Sequence, residues 1–493
     1  MAMDRRDFLK RAGLVGGAAA AATALPGCRQ LFHHLGPGSA FTGRGMLDLP
    51  ATESEIDHVV VVMMENRSFD HWLGWLAEDH RFLAAGHSRY GGRFGIDGRQ
   101  HQVIQGPTGP VATAHLVGAA DEPSPFQGCG HVDPGHGWDE GRAQRDGGFL
   151  SPGSDNDVFA TGYYVGDDLP FTSQLARRFT TFDRYHASVL GPTYPNREYL
   201  HSAQSGGNKT NAFPPAGGFT WDTIWDRLRG AGVPARYYYS DLPFLAFWGP
   251  RLSDLMHPSA DYFADCAAGT LPAVSMLDPR FLGPEQCDDH PLADIRRGQA
   301  FLRDAFKAFA ASPNWHKGLF VITYDEWGGF FDHVRPPRVV DDRASAVDEE
   351  DFGQTGFRVP TVLASPFARP GFVDHRTYEH SSVLRFLEWR FLGAPPEGPG
   401  RPGDSWFLTG RDRNANNLGA SLSARRCSDD LGFDPNVFVA PGAPACTTGG
   451  DGGVLSTQAA SAAVTGGADA PTSSMQDAAE AGVFDRMGVP VGH

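Results

Sequence analysis

Residues 58–75 read HVVVVMMENRSFDHWLGW. Val59 to Met64 is an unbroken apolar run, rich in β-branched residues and about six long, the pattern of a parallel strand buried on both faces. A short core helix can also be apolar all round, but a run of four valines argues against it. The run stops on Glu65-Asn66, followed by Arg67, Ser68, Asp70 and His71. In open α/β sheets ligands bind at the carboxyl ends of strands, which makes this polar cluster a candidate site.

A second apolar run, Leu319 to Tyr324, ends the same way, in Asp325-Glu326. If the two strands are parallel, their tips share one sheet edge, and three carboxylates and an amide converge there. Like charges that close do not all stay ionised without a counter-charge. One divalent cation held by Glu65, Asn66, Asp325 and Glu326 supplies it. Oxygen ligands favour calcium, magnesium or manganese; a histidine in the shell would pull towards zinc, iron or manganese. The alternative reading is helix capping by Asn66 or Asp325.

Around these strands the chain alternates. Helical spacing appears over 171–179, 220–228, 292–311 and 381–391, and strand patterns over 180–186, 233–239, 273–277 (closing on Asp278) and 359–364. Alternation of this kind predicts an α/β fold with a central, mostly parallel sheet flanked by helices. Residues 84–120 and 126–146 read as irregular loops, and Glu198 as the start of a helix.

With 493 residues, 41% of them hydrophobic, the chain can bury a large core. A net charge of −16 argues against a nucleic-acid partner. Arg5-Arg6-Asp7-Phe8-Leu9-Lys10, ahead of a Gly/Ala-rich apolar run, resembles a twin-arginine export signal. Leu25-Pro26-Gly27-Cys28 resembles an imperfect lipobox; the alternative is cleavage near Ala22-Thr23-Ala24. The expected division is a signal over 1–28, a linker over 29–53, a catalytic domain over 54–440 and a low-complexity flexible tail over 441–493. The expected location is periplasmic, secreted or lipid-anchored. Export permits disulfides, and sequence neighbours make Cys266–Cys287 and Cys427–Cys446 the natural pairs among the cysteines after Cys28.

Thr193 sits in a proline-flanked elbow, Gly191 to Arg197. A hydroxyl there can act as nucleophile with a helix N-terminus stabilising a phosphate, or simply cap a turn. His136, His290, His333 and His380 lie in polar, turn-rich contexts and are candidate general acids or phosphate ligands. Trp72/Trp75 and the Phe244/Phe247/Trp248 cluster are candidates for an apolar rim contacting a membrane surface, although aromatic groups more often belong to a core.

The motifs resemble those of the bacterial and plant non-specific phospholipase C family, which also contains exported acid phosphatases. Glu65 to His71 is similar to ENRSFDH, Thr193 to Arg197 to TxPNR, Asp325 to Val334 to DExGGxxDHV, and Glu379 to Ser382 to EHSS. Asp133 to His136 and Asp288 to Pro291 are similar to two shorter elements. The resemblance covers about residues 56–392. It implies an alkaline-phosphatase-like fold and phosphoester hydrolysis, with Glu65, Asn66, Asp325 and Glu326 at the metal and Thr193 forming a covalent phosphoryl-enzyme. His136, His290 and His380 would contact phosphate or protonate the leaving group, with His333 behind them. The implied substrates are phosphatidylcholine-like lipids or, alternatively, small phosphomonoesters; a third reading is a surface lipoprotein that binds phosphorylated ligands without turnover. Trp327 departs from the motif and is expected to border the head-group pocket. Arg67 and Asp70 are expected to brace the site as a buried pair.

Overall fold

The computed structural model describes residues 43–119, 124–398, 406–446 and 475–486. The signal and lipobox, most of the linker and most of the tail lie outside them. The core is an eight-stranded sheet: β1 (His58–Met64), β2 (Thr180–Phe182), β3 (Ala235–Tyr239), β4 (Met256–Pro258), β5 (Val274–Asp278), β6 (Gly318–Tyr324), β7 (Thr361–Ala364) and β8 (Val373–Asp374). Their spatial order is β8-β2-β7-β6-β1-β5-β3-β4. Only β7 runs against the rest. Thus β1 is central, between β6 and β5, and every residue from Val59 to Met64 is buried, as an all-apolar parallel strand requires.

The helices that position the site are α1 (Phe69–Leu73), α2 (Trp138–Gly147), α3 (Thr193–Ser202), α4 (Ile295–Ala311) and α5 (Ser381–Leu387), the last continued by a π turn, Glu388–Leu392. α4 shows how the sequence selects them. Asp294 caps it by accepting from the Arg296 amide, and Ile295, Leu302, Ala305, Phe306 and Phe309 form the buried stripe at helical spacing.

Several expectations are corrected. α3 begins at Thr193, not Glu198; Pro195 falls in the first turn, where its missing N–H costs nothing. The stretches expected as loops hold helices His80–Tyr90 and α2 and a hairpin of Val103–Gly106 with Gly109–Ala112. The disulfide joins Cys129 to Cys446, so Cys427 does not pair with Cys446, and Cys266 and Cys287 are free rather than bridged to each other. Sequence proximity misled because the bridge spans 317 residues, brought together by the fold. Trp72, Trp75, Phe244, Phe247 and Trp248 are all buried in the main core and form no rim. Met475–Glu480 and Val483–Arg486 are helical, and Met475, Val483 and Phe484 are buried in the main core cluster.

Candidate active site

Parallel pairing brings three strand ends to one edge. Met64 lies opposite Tyr324, so β1 and β6 deliver Glu65-Asn66 and Asp325-Glu326 at the same level, and β5 adds Asp278 beside them. The tips are stitched together. The Asp325 amide donates to the Met64 carbonyl (3.0 Å) and the Arg67 amide to the Glu326 carbonyl (3.1 Å). Oδ1 of Asp325 accepts from the amides of Asn66 (3.1 Å) and Glu326 (2.7 Å). Asn66 has φ +61°, a left-handed conformation that Asn tolerates better than most residues.

Glu65, Asp278, Asp325 and Glu326 are all fully buried. Arg197, equally buried, reaches three of them: Glu65 at 3.3 Å, Asp278 at 3.4 Å and Asp325 at 3.2 Å. One guanidinium does not balance this set. Burial and neighbouring carboxylates hold Glu65 and Glu326 well above the usual range, and burial pushes Asp278 up to about 7 and raises Asp325. Two acceptor oxygens inside the cluster, Oδ1 of Asn66 and Oε1 of Glu326, are buried with no hydrogen-bond donor. Unpaired buried acceptors beside excess negative charge are what a hard divalent cation satisfies, so the residues present fit a metal.

α3 reaches this edge through Arg197. Thr193 is its first residue, and Arg197, four residues on, lies on the same helical face and ends in the carboxylate cluster. Asn196 locks the preceding loop: its Oδ1 accepts from the Val189 amide (3.0 Å), and its Nδ2 donates to the carbonyls of Gly191 (2.8 Å) and Pro192 (3.0 Å). The hydroxyl therefore stands on a constrained elbow at the positive end of a ten-residue helix.

The histidines separate by partner. His136 donates from Nδ1 to the Pro134 carbonyl (2.7 Å), which fixes the tautomer and leaves Nε2 3.4 Å from Nδ2 of Asn66 and 4.0 Å from Glu326. Nε2 of His290 faces Asp133 at 3.5 Å; burial alone would lower its pKa, but Asp133 and Glu65 outweigh burial and hold it up. His380 sits behind the cluster. Its Nε2 donates to the Asp325 carbonyl (2.7 Å), and burial pushes its pKa down to about 4, so it is a neutral prop for Asp325. His333 lies in a separate network with Asp70 and Asp97.

A family model described as the phosphoesterase family matches residues 56–392, a span that contains every residue of this cluster. The chain belongs to the phosphoesterase family. It is a phosphoric ester hydrolase. Non-specific phospholipase C6 of Arabidopsis thaliana is 30% identical, with 67% of each chain covered. Non-hemolytic phospholipase C of Pseudomonas aeruginosa is 29% identical over 78% of this chain and 60% of that protein. A solved protein of the alkaline phosphatase superfamily from Vibrio parahaemolyticus is similar at 13% identity and a TM-score of 0.28, over 52% of this chain and 63% of that one.

Other motif residues of this phosphoesterase act from behind. Arg67 and Asp70 do not pair. Arg67 donates to the Asp289 carbonyl (2.8 Å) and contacts His71 (2.9 Å), whereas Asp70 binds Arg358 (3.1 Å) and His333 (2.5 Å). The two side chains are parted because Asp70, on α1, turns to the Asp332–Arg358 pair (2.9 Å). Ligand atoms of Asp70, Asp332 and His333 lie within 4.8 Å of one another, a spacing a metal could use. Arg358 already supplies the positive charge there, so this cluster is read as an ion-pair brace. Trp327 does not border the pocket: it is fully buried against Phe149, Leu190 and Phe357 and donates from Nε1 to Gln144 (2.7 Å). The following glycines explain their motif. At Gly328 (φ +63°) a Cβ would lie 2.2 Å from the Asn66 carbonyl oxygen, and at Gly329 (φ +69°) 2.6 Å from that of Gly135. Gly328→Ala is expected to cost about 1–3 kcal/mol and to lower turnover by displacing Asn66, measured by urea unfolding and by assay.

The sequence alone assigns no site role to Asp278, Arg197 or Asp133. Asp278 carried the missed signal, since it ends an apolar strand just as Glu65 and Asp325 do.

Proposed function

We propose that the chain is an exported, metal-dependent phosphoesterase of the phospholipase C type. It cleaves phosphatidylcholine-like lipids to diacylglycerol and a phosphorylated head group through a phosphoryl-threonine at Thr193. The observation that carries this reading is the pair of unpartnered buried oxygens, Asn66 Oδ1 and Glu326 Oε1, at the edge that also receives Arg197 of α3. The names of the phospholipase C relatives support the substrate class.

Glu65, Asn66, Asp325 and Glu326 would hold one divalent ion, of calcium, magnesium, manganese, zinc or iron. When bound, the ion supplies Lewis acidity and neutralises charge at the phosphoryl oxygens. The chain does the rest. Thr193 Oγ1 attacks phosphorus, and the acceptor offered for its proton is Nε2 of His136. His290, oriented by Asp133, protonates the departing glyceryl oxygen. Water then attacks the phosphoryl-threonine. Its proton passes to His290, the Thr193 oxygen regains its own from His136, and the phosphorylated head group leaves. The N-terminus of α3 stabilises the anionic phosphoryl group throughout. His380 keeps Asp325 in place. The twin-arginine resemblance supports export.

Parallel assays on phosphatidylcholine vesicles and on an aryl phosphate test the reading. The expected result is turnover of the lipid, abolished by a chelator and restored by a divalent cation. Turnover of the aryl phosphate alone means an acid phosphatase, and turnover of neither means a ligand-binding lipoprotein.

A further inference from the structure

The groups assigned to proton transfer sit on two loops remote in sequence, 126–136 (Asp133, His136) and 284–294 (His290). A short C-terminal strap, 442–446, ties both. Its end is bonded to the first loop by the Cys129–Cys446 disulfide. The Cys446 amide donates to the Leu292 carbonyl (3.0 Å) and the Ala445 amide to that of Pro284 (3.2 Å). Gln127, buried beside the bridge, donates from Nε2 to the carbonyls of Pro444 (2.8 Å) and Leu292 (3.3 Å), so one side chain holds strap and second loop together. The loops also meet directly, the Gly128 amide donating to the Pro291 carbonyl at 2.6 Å. At the strap's other end, the Ala443 amide donates to Asp294 (2.8 Å) and Arg297 to the Ala443 carbonyl (2.7 Å). Asp133, four residues past Cys129, faces His290, whose own amide donates to Oδ1 of Asp288 (3.0 Å) within the second loop.

We infer that the Cys129–Cys446 bridge is a positioning clip for the proposed reaction: it holds the Asp133/His136 loop in register with the His290 loop. The inference rests on the proposed roles of those histidines. The strap contributes no group to the carboxylate edge, and β1 and β6 pair without it. Opening the clip therefore loosens the two loops and leaves the sheet intact. Both cysteines are partly exposed, so a reductant reaches them, and theirs is the one disulfide among the described residues.

The test uses the full chain, metal-loaded, with the bridge intact, reduced by a phosphine, and in Cys446→Ser. Reduction converts the bridge to two thiols and the phosphine to its oxide, with water supplying the oxygen and the two protons. Turnover of a soluble aryl phosphoester is expected to fall about tenfold or more in kcat with little change in KM, because displaced proton donors slow chemistry more than binding. Reoxidation of the wild type restores it. Hydrogen exchange is expected to accelerate in 126–136 and 284–294 and to stay slow in β1 and β6. Full kcat after reduction, or unchanged exchange in both loops, overturns the inference. If the oxidised protein turns over no phosphoester, the proposed function has failed, and the exchange comparison alone decides whether the bridge clips the loops.

Discussion

Thr193→Ala is expected to lower turnover by about 10⁴-fold or more while leaving the fold intact, the scale seen when a covalent nucleophile is removed. Stability is expected to change little. Thr193 is the first residue of α3, and its cap is Pro192, so the substitution removes no side-chain cap. Asn196 and Arg197, which anchor the elbow and the helix face, are untouched. Thr193→Ser keeps a hydroxyl at the same atom and is expected to retain most activity. Circular dichroism and thermal unfolding establish the fold, and steady-state rates on lipid and aryl phosphoester read the chemistry. A loss of the same size on both substrates means one nucleophile serves both. Full activity in the alanine variant removes Thr193 from the mechanism.

Arg197→Met is expected to destabilise the protein by about 3–5 kcal/mol, the usual result of leaving buried charge uncompensated. The guanidinium lies among Glu65, Asp278 and Asp325, and no solvent reaches these groups to take its place. Its removal raises carboxylates that burial already holds up. The folded variant then binds protons that the unfolded chain, with carboxyls near their ordinary values of about 4, has released. A carboxylate whose folded pKa is raised weakens the fold as pH climbs, so the deficit is largest at neutral pH and shrinks on acidification. Added divalent cation offsets part of it. Urea unfolding at neutral and mildly acidic pH, with and without cation, measures all three effects. An unchanged midpoint at neutral pH means that these carboxylates are balanced by something other than Arg197.

The fold was legible where burial is two-sided. β1 and β6 carry no polar face, and their parallel pairing follows from that pattern, as does the meeting of Glu65-Asn66 with Asp325-Glu326. α2 was not legible. Its buried residues are Trp138, Gly141, Arg142 and Gln144, so no apolar stripe marks the helix. Arg197 lies 132, 81 and 128 residues from its three partners, and no local pattern announces an ion pair at such distances. The same holds for Cys129 and Cys446. Trp327 misled for another reason: the motif places it next to Glu326, but the chain turns at Gly328 and the ring enters the core. The role proposed for Thr193 comes from the family resemblance, since a threonine at a helix start is usually only a turn residue.

Rapid acid quenching of the metal-loaded protein during turnover, followed by peptide mass spectrometry, tests the phosphoryl-threonine itself. A phosphoryl or head-group phosphoryl adduct is expected on the peptide carrying Thr193, formed within one turnover and absent in Thr193→Ala. An adduct on another residue, or none under conditions where a burst of product is seen, contradicts it.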